Sequence, residues 1–560
     1  MPAAGWLPHY ERERLRGDLT AGVAVTALVV PKNLGYADIA GVPLQNGLYA
    51  AAAGALIYAL FATSRQISTG PSSSLAAVAG GAVLATGLGG DRAAELVAAI
   101  ALATGLLFLL LAVFRMGWIA QFLSKAVITG FLAGAAVDVV IGELPKLTGT
   151  SAEGDNAWRE LATWVQSLGG VHGATAVVAG TSLAVILGLR YLAPAVPGAL
   201  VLVVGGLVAS GLFDLGAHGV ALVGDVPRGL PAPELPSLAL VQDHYATIGV
   251  AALALLLIGF SQTAGDARAF AARHRYRIDV NQESVAQGMA NVGAGVFQGM
   301  PVSTSLSASS LNESAGARTQ VSSLASGALV IATLLVLAPV FSHLPKAVLG
   351  AVIIDAVVFG MIDVAELRRL RRVTRLDFWV AVAAIVGVLS AGVLAGVVIG
   401  VALSLGWLVY VATRPPMPLL GREPGTHVFR DLVENPGDET FPGVVVLRLD
   451  GGLFFATAEA LEDRVRALLD AADQPHALVL DLEGVNFVDS QGAAKLAELH
   501  ALAATDGITL RLARLKPQVR TVLEADGTLG LIDADHVHGN VQRAVRAQLA
   551  DDDRLRTSSG

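Results

Sequence analysis

The stretches TGPSSSL (69–75) and MPVSTSLS (300–307) decide how the chain is read. In each, a proline, which lacks an N–H and fixes its own φ, stands ahead of small hydroxyl residues and an apolar segment, the pattern of a helix start. The hydroxyl runs are Ser72, Ser73 and Ser74 in the first, and Ser303, Thr304, Ser305 and Ser307 in the second. The apolar pieces that follow, 73–88 and 302–311, fall short of the roughly 20 helical residues that cross a bilayer. They read as half-helices. Free N–H groups and the positive dipole end of a helix favour an anion, and two such starts at corresponding places in two halves would face one another across a central site. A serine run can equally cap its own helix or bond its own carbonyls.

The surroundings are those of a membrane protein. Of 560 residues 54% are hydrophobic and 15% charged, with a mean hydropathy of +0.62, too apolar for a soluble enzyme of this length. Long apolar spans lie at 93–114, 117–141, 174–193, 246–265, 319–342 and 390–413, and shorter ones at 19–30 and 376–389. Pro31 and Gly35 of PKNLG are expected to interrupt the first span near mid-membrane, where irregular backbone survives only against a cavity or other protein. With fourteen segments and an inner N-terminus, sixteen arginines fall in inner loops, against Arg92, Lys146, Arg159, Arg228 and Lys346 outside. That bias predicts a plasma-membrane protein with both termini cytoplasmic. Residues 1–18 mix both charges and read as a cytoplasmic N-terminus, not a cleavable signal.

The composition changes near residue 430. Residues 1–430 carry 26 Lys+Arg and 24 Asp+Glu, and 431–560 carry 12 and 22, so the net charges are +2 and −10. No concentrated basic face exists for nucleic acid. The absence of cysteine removes disulfides, thiolate metal sites and thiol nucleophiles. The expected organisation is a transport domain over 19–413, a Pro/Gly-rich linker over 414–440, a small α/β domain over 441–550 and a disordered tail over 551–560. In the α/β domain GVVVLRL, HALVLDL and ITLRLARL read as strands, and AEALEDRVRALLDAA and GNVQRAVRAQLA as helices.

Several motifs in order carry a resemblance: PKNLGYADIAGVPLQNGLYA, SRQISTGPSSSLAA, FAARHRYRIDVNQESVAQGMANVGAGVFQGMPVSTS, AGARTQ and LPKAVLGAVI. From about Leu15 to Ala550 the chain resembles the SulP anion permeases, solute carrier family 26, with a C-terminal STAS domain carried by VNFVDSQGAAKL. The resemblance implies a polytopic α-helical fold of fourteen segments in two inverted repeats of seven. Segments 1–4 and 8–11 would form a core that moves, elevator-like, against a gate of segments 5–7 and 12–14, usually in a homodimer. It implies a small anion as substrate, such as sulfate, bicarbonate, chloride or a dicarboxylate, with no cofactor or metal.

The implied binding residues are Lys32, Asn33 and Tyr36 of the first span, Ser72, Ser73 and Ser74, Gln262 of the eighth, and Ser303, Thr304, Ser305 and Ser307. Three positions depart from the family. Lys32 stands for the usual Gln, Gln262 for an acid linked to cation or proton coupling, and Ala308 for an Arg that often follows the serine run. An ionised group near the membrane centre costs at least about 2.5 kcal/mol, so Lys32 should have a partner; Asp266 and Asp138 are the candidates for an empty site. A structural ion pair or a snorkelling side chain would also account for Lys32. In the STAS loop Asp489 or Ser490 caps a helix or regulates, and Gln491 replaces the hydroxyl that is phosphorylated in anti-sigma-factor antagonists. The leading function is secondary-active anion transport. Alternatives are an uncoupled anion channel and an anion-sensing scaffold whose STAS domain binds a protein partner. No nucleophile, base and oxyanion-site arrangement points to an enzyme.

Overall fold

The computed structural model describes residues 2–558 except 116–123, 153, 155, 195, 225, 472 and 473. The chain divides into two compact units, residues 1–404 and 405–560.

The start of the expected 117–141 span lies outside the described residues, among which fourteen helices of the first part fit the expected count of fourteen segments. They are α1 (Leu15–Ile39), α2 (Leu44–Phe61), α3 (Ser73–Thr86), α4 (Gly90–Val113), α5 (Lys125–Thr148), then after the amphipathic α6 (Ala157–Ser167), α7 (Gly173–Leu192) and α8 (Gly198–Phe213). The second half supplies α9 (Leu238–Arg273), α10 (Val280–Val296), α11 (Leu306–Ser314), α12 (Val321–Val336), α13 (Lys346–Met361) and, after the arginine-rich α14 (Val364–Val373), α15 (Arg375–Ala391) and α16 (Val393–Ala412). Among the described residues seven helices are long and apolar enough to cross a membrane, and α3, α8 and α12 are shorter apolar helices. One large apolar cluster runs through this bundle, rich in alanine where helices approach closely. At Gly47 of α2 an added Cβ would lie 2.1 Å from the Asn33 carbonyl oxygen, so only glycine lets α2 come so near α1.

Two expectations about the helices are corrected. The first span is not interrupted at PKNLG: α1 is continuous for 25 residues with Pro31 inside it. Proline removes one backbone hydrogen bond, whereas opening the helix there would strand several polar groups in apolar surroundings. Gly35 keeps α1 close to α13, since a Cβ would sit 2.9 Å from Ile353 Cγ1. The second half-helix begins at Leu306 instead of 302, because Ser303–Thr304 is extended.

That extended pair is β2 (Ser303–Thr304), and it runs antiparallel to β1 (Thr69–Gly70), with Thr69 opposite Thr304 and Gly70 opposite Ser303. The lead-ins of the two half-helices are thus tied to each other by backbone, Thr69 to Thr304 across 235 positions of sequence (304 minus 69).

In the second unit, β3 (Leu420–Arg422) pairs with β4 (Phe429–Asp431), and β5 (Val444–Arg448), β6 (Ala477–Asp481), β7 (Thr509–Ala513) and β8 (Val537–His538) form a parallel sheet in that order. Helices α17 (Ala458–Ala471), α18 (Ser490–Thr505) and α19 (Pro517–Asp526) pack on one face, and α20 (Val541–Ser558) on the other. Alternation along β6 sends Leu478 and Leu480 to the first face and Ala477 and Val479 to the second, the pattern of a strand covered on both sides. The expected disordered tail is also corrected, since α20 continues to Ser558. Asp551 accepts a hydrogen bond from Arg511 Nη2 (2.5 Å), and Asp552 meets His476 Nε2 (2.9 Å) and Gln548 Nε2 (2.9 Å). These partners tie the start of that polar run to the sheet and to α20, which outweighs its low hydrophobicity.

Candidate anion site

Irregular backbone between α2 and α3, and between α10 and α11, has to be satisfied where no bulk water reaches it. Buried amide side chains do this. Gln320 Nε2 donates to the carbonyls of Ser64 and Ile67, both at 3.0 Å, and Asn312 Nδ2 to that of Gln66 at 2.9 Å. For the other lead-in, Gln287 Nε2 (2.6 Å) and Asn291 Nδ2 (2.9 Å) donate to the Val302 carbonyl, and Asn291 Oδ1 accepts from the Val302 N–H at 3.0 Å. The motifs read from sequence contain Gln287, Asn291 and Gln320 without a role for them, and Asn312 lies outside those motifs; the signal was amides within otherwise apolar segments.

The two helix starts are built alike. Ser72 accepts from the Leu75 N–H and touches Ser74 Oγ at 3.1 Å; Ser305 accepts from the Ala308 N–H and touches Ser307 Oγ at 3.3 Å. The Ser305 N–H donates to the Ser68 carbonyl at 3.0 Å, and the Ser68 N–H to Ser309 Oγ at 2.9 Å. Each start is therefore held in place by the other.

Between these starts and α1 lies a cavity with about 20 Å³ of space, lined by Lys32, Asn33, Tyr36, Thr69, Gly70, Pro71, Ser305, Ser307, Ala308 and Ser326, with Ala51, Ala55, Leu28, Val29 and Ser68 completing the wall. Asn33 Nδ2 and Thr69 Oγ1 are buried and have no hydrogen-bond partner. Two donors facing a small cavity with nothing to bond are what a pre-formed anion site would leave when empty.

Of the residues expected from sequence, Lys32, Asn33, Tyr36, Ser305 and Ser307 line the cavity. Ser72, Ser73, Ser74, Gln262, Ser303 and Thr304 stand outside its wall. Gln262 Nε2 donates to Ser74 Oγ at 3.2 Å, linking α9 to the first helix start, and Ser303 Oγ donates to the Gly259 carbonyl at 3.4 Å. Thr69 and Ser326 are lining residues that sequence reading missed.

The expected counter-charge is corrected as well. Lys32 makes no ion pair or hydrogen bond among the described residues, and the acid whose field reaches it is Asp355, with Arg190 opposing. Arg190 of α7 grips Asp355 of α13 with two bonds of 2.8 Å and lies 4.0 Å over the Phe359 ring. Asp266 instead accepts from Thr304 Oγ1 at 2.9 Å, and the charge acting on Asp138 is that of another acid, Glu160. Spacing along α9 or α5 could not show which helix faces Lys32; α13 does.

In the second unit Asp489 caps α18, accepting from the Gly492 N–H (2.8 Å) and from the Phe455 N–H (3.0 Å). Ser490 is exposed at the first helical position. No cluster of three metal-ligating side chains occurs among the described residues.

Comparison with known proteins bears on the same segments. Residues 15–385 match the sulfate permease family and 435–544 the STAS domain. A protein of Mycobacterium tuberculosis named "Probable sulfate transporter" is 36% identical over 556 residues, covering 98% of this chain and 99% of its own length. The chloroplastic sulfate transporter 4.1 of Arabidopsis thaliana is 29% identical, covering 98% and 82%. Among solved structures, the murine solute carrier 26 family member A9 anion transporter in its inward-facing state has the same fold, with a TM-score of 0.88 at 23% identity over 98% of this chain and 94% of that one. The transmembrane domain of the cyanobacterial bicarbonate transporter BicA covers 70% of this chain and 98% of its own, with a TM-score of 0.60 at 23% identity.

Proposed function

Because the chain belongs to the sulfate permease family, we propose that it is a secondary-active transporter of a small oxyanion, with sulfate the foremost substrate. The observation that carries this reading is the cavity itself: two mutually fixed half-helix starts, two unpartnered donors and one lysine converge on one small space. Helix dipoles and Lys32 supply positive potential, while Asn33, Thr69, Ser305 and Ser307 supply directed donors. The names of the relatives in M. tuberculosis and A. thaliana support sulfate over a monovalent halide.

Transport follows an elevator course. Helices α1–α4 and α9–α12 carry the anion as one body past α5, α7, α8, α13, α15 and α16, in a homodimer of the plasma membrane with both termini cytoplasmic. In the empty site Asp355 neutralises Lys32, and an arriving anion takes over that role. With Gln262 unable to exchange a proton, coupling through that position is absent. The STAS unit is the docking place for a protein partner.

The test is uptake of labelled sulfate, bicarbonate and chloride into proteoliposomes, wild type beside Lys32→Gln. Saturable sulfate uptake that the variant loses supports the reading. Equal uptake by both, or current without saturation, overturns it.

A further inference from the structure

The second unit is acidic, yet one concavity in it is basic. A cavity of about 400 Å³ is bordered by His427, Arg514, Asn540, Gln542, Arg543 and Arg546, with no acid in its lining. Arg514 is committed to Asp481, through Nη2 at 2.9 Å, and to Glu483. Arg543 and Arg546, one turn apart at the start of the 18-residue α20, have no ion-pair or hydrogen-bond partner for their guanidinium groups among the described residues. Asn540 is occupied in accepting the Arg543 N–H at 2.8 Å.

A second, independent observation is Gln542. It is only 6% exposed, and both its Nε2 and Oε1 are buried without a partner. Leaving a buried amide unsatisfied is costly, and a leucine of similar size would avoid that cost. An amide kept there against this penalty is poised to bond something that enters the cavity.

We propose that this concavity binds a phosphate monoester. Two free guanidinium forks match the paired oxygens of a dianionic phosphate, the N-terminus of α20 adds its positive dipole end, and Gln542 offers one donor and one acceptor to the rest of the molecule. The volume is that of a small-molecule site and exceeds what a bare inorganic ion fills. The ester belongs to a soluble metabolite or to a phospholipid headgroup, and both present the same group. The site does not depend on the transport reading, since none of its residues belongs to the first unit.

The experiment follows amide exchange over 541–550 in the full-length protein. One arm adds glycerol 3-phosphate to protein in detergent; the other compares nanodiscs containing phosphatidic acid with nanodiscs of phosphatidylcholine alone. Protection in the first arm identifies a soluble ester, and protection only with phosphatidic acid identifies a headgroup. In either case Arg543→Gln combined with Arg546→Gln weakens binding at least about tenfold. Gln542→Leu also weakens it, with an unfolding temperature equal to or above that of the wild type. No protection in either arm, or protection that survives the arginine substitutions, overturns the proposal.

Discussion

Residues in the wall of the anion cavity and residues behind it predict different penalties. Thr69 Oγ1 and Asn33 Nδ2 bond to nothing in the empty protein, so removing them strands no partner. Thr69→Val should leave the unfolding temperature unchanged or slightly higher while raising KM for the transported anion about tenfold, the worth of one hydrogen bond to a charged group. Concentration-dependent uptake and a thermal scan on the same preparation would check both halves. Asp355 is the opposite case, since it already serves Arg190 and, on the proposed reading, balances the charge of Lys32 when no anion is bound. Asp355→Asn is expected to lower the unfolding temperature and, in the protein that remains folded, to tighten anion binding because Lys32 has lost its competitor. Weaker binding in that variant would mean that Asp355 positions Lys32 instead of competing for it. Composition made Lys32 conspicuous, but the partner proposed for it could not be read from spacing, because Asp355 lies 323 positions away in sequence (355 minus 32).

At the scale of elements, the half-helix starts were legible because proline, glycine and serine act locally, and local chemistry is written in consecutive residues. Whether Pro31 breaks α1 was not, because the answer depends on what the neighbouring helices offer the freed carbonyl. The same contrast applies to the loops that hold the starts. Gln320 satisfies two carbonyls of the first lead-in, so Gln320→Leu leaves both without a partner and should destabilise the transport unit by about 2–4 kcal/mol. Between α1 and α5 the decisive contact is electrostatic. Lys146 Nζ lies 2.6 Å from Asp38 Oδ2 and 2.8 Å from Glu143 Oε1, joining helices that the elevator reading assigns to different bodies. Such a contact favours the arrangement in which it is made. Lys146→Met leaves two acids facing each other, and cross-linking between cysteines placed on α1 and α5 should then fall in yield, reporting a shift away from this arrangement. An unchanged yield would show that α1 and α5 move together.

For the whole molecule, two units of opposite character share one chain, and their stabilities answer to different variables. The bundle rests on apolar and small-residue packing. The STAS unit carries titratable groups close to its fold. Burial, and then the nearby Arg511 guanidinium, push His536 and His538 below the ordinary imidazole value. Their neutral forms are therefore favoured in the folded unit, while the unfolded chain takes up protons more readily. The stabilisation is fully present above about pH 6.5 and is lost as pH falls through the folded values. Glu462, held low by Lys495 and then Arg466, adds a second loss that begins only below its ordinary value of about 4.5. Acidification from neutral pH should thus lower the unfolding transition of the STAS unit first, with the bundle following separately. Differential scanning calorimetry of the full-length protein across this range would resolve the order. His538→Gln should flatten the step that begins below about pH 6.5 without touching the acid step, because an amide keeps a polar group beside Arg511 Nη1, which His538 Nε2 meets at 3.2 Å, but takes up no proton. A bundle transition that shifted with the same midpoint would mean that the two units unfold as one, and that the pH response of the STAS unit reaches the transport segments.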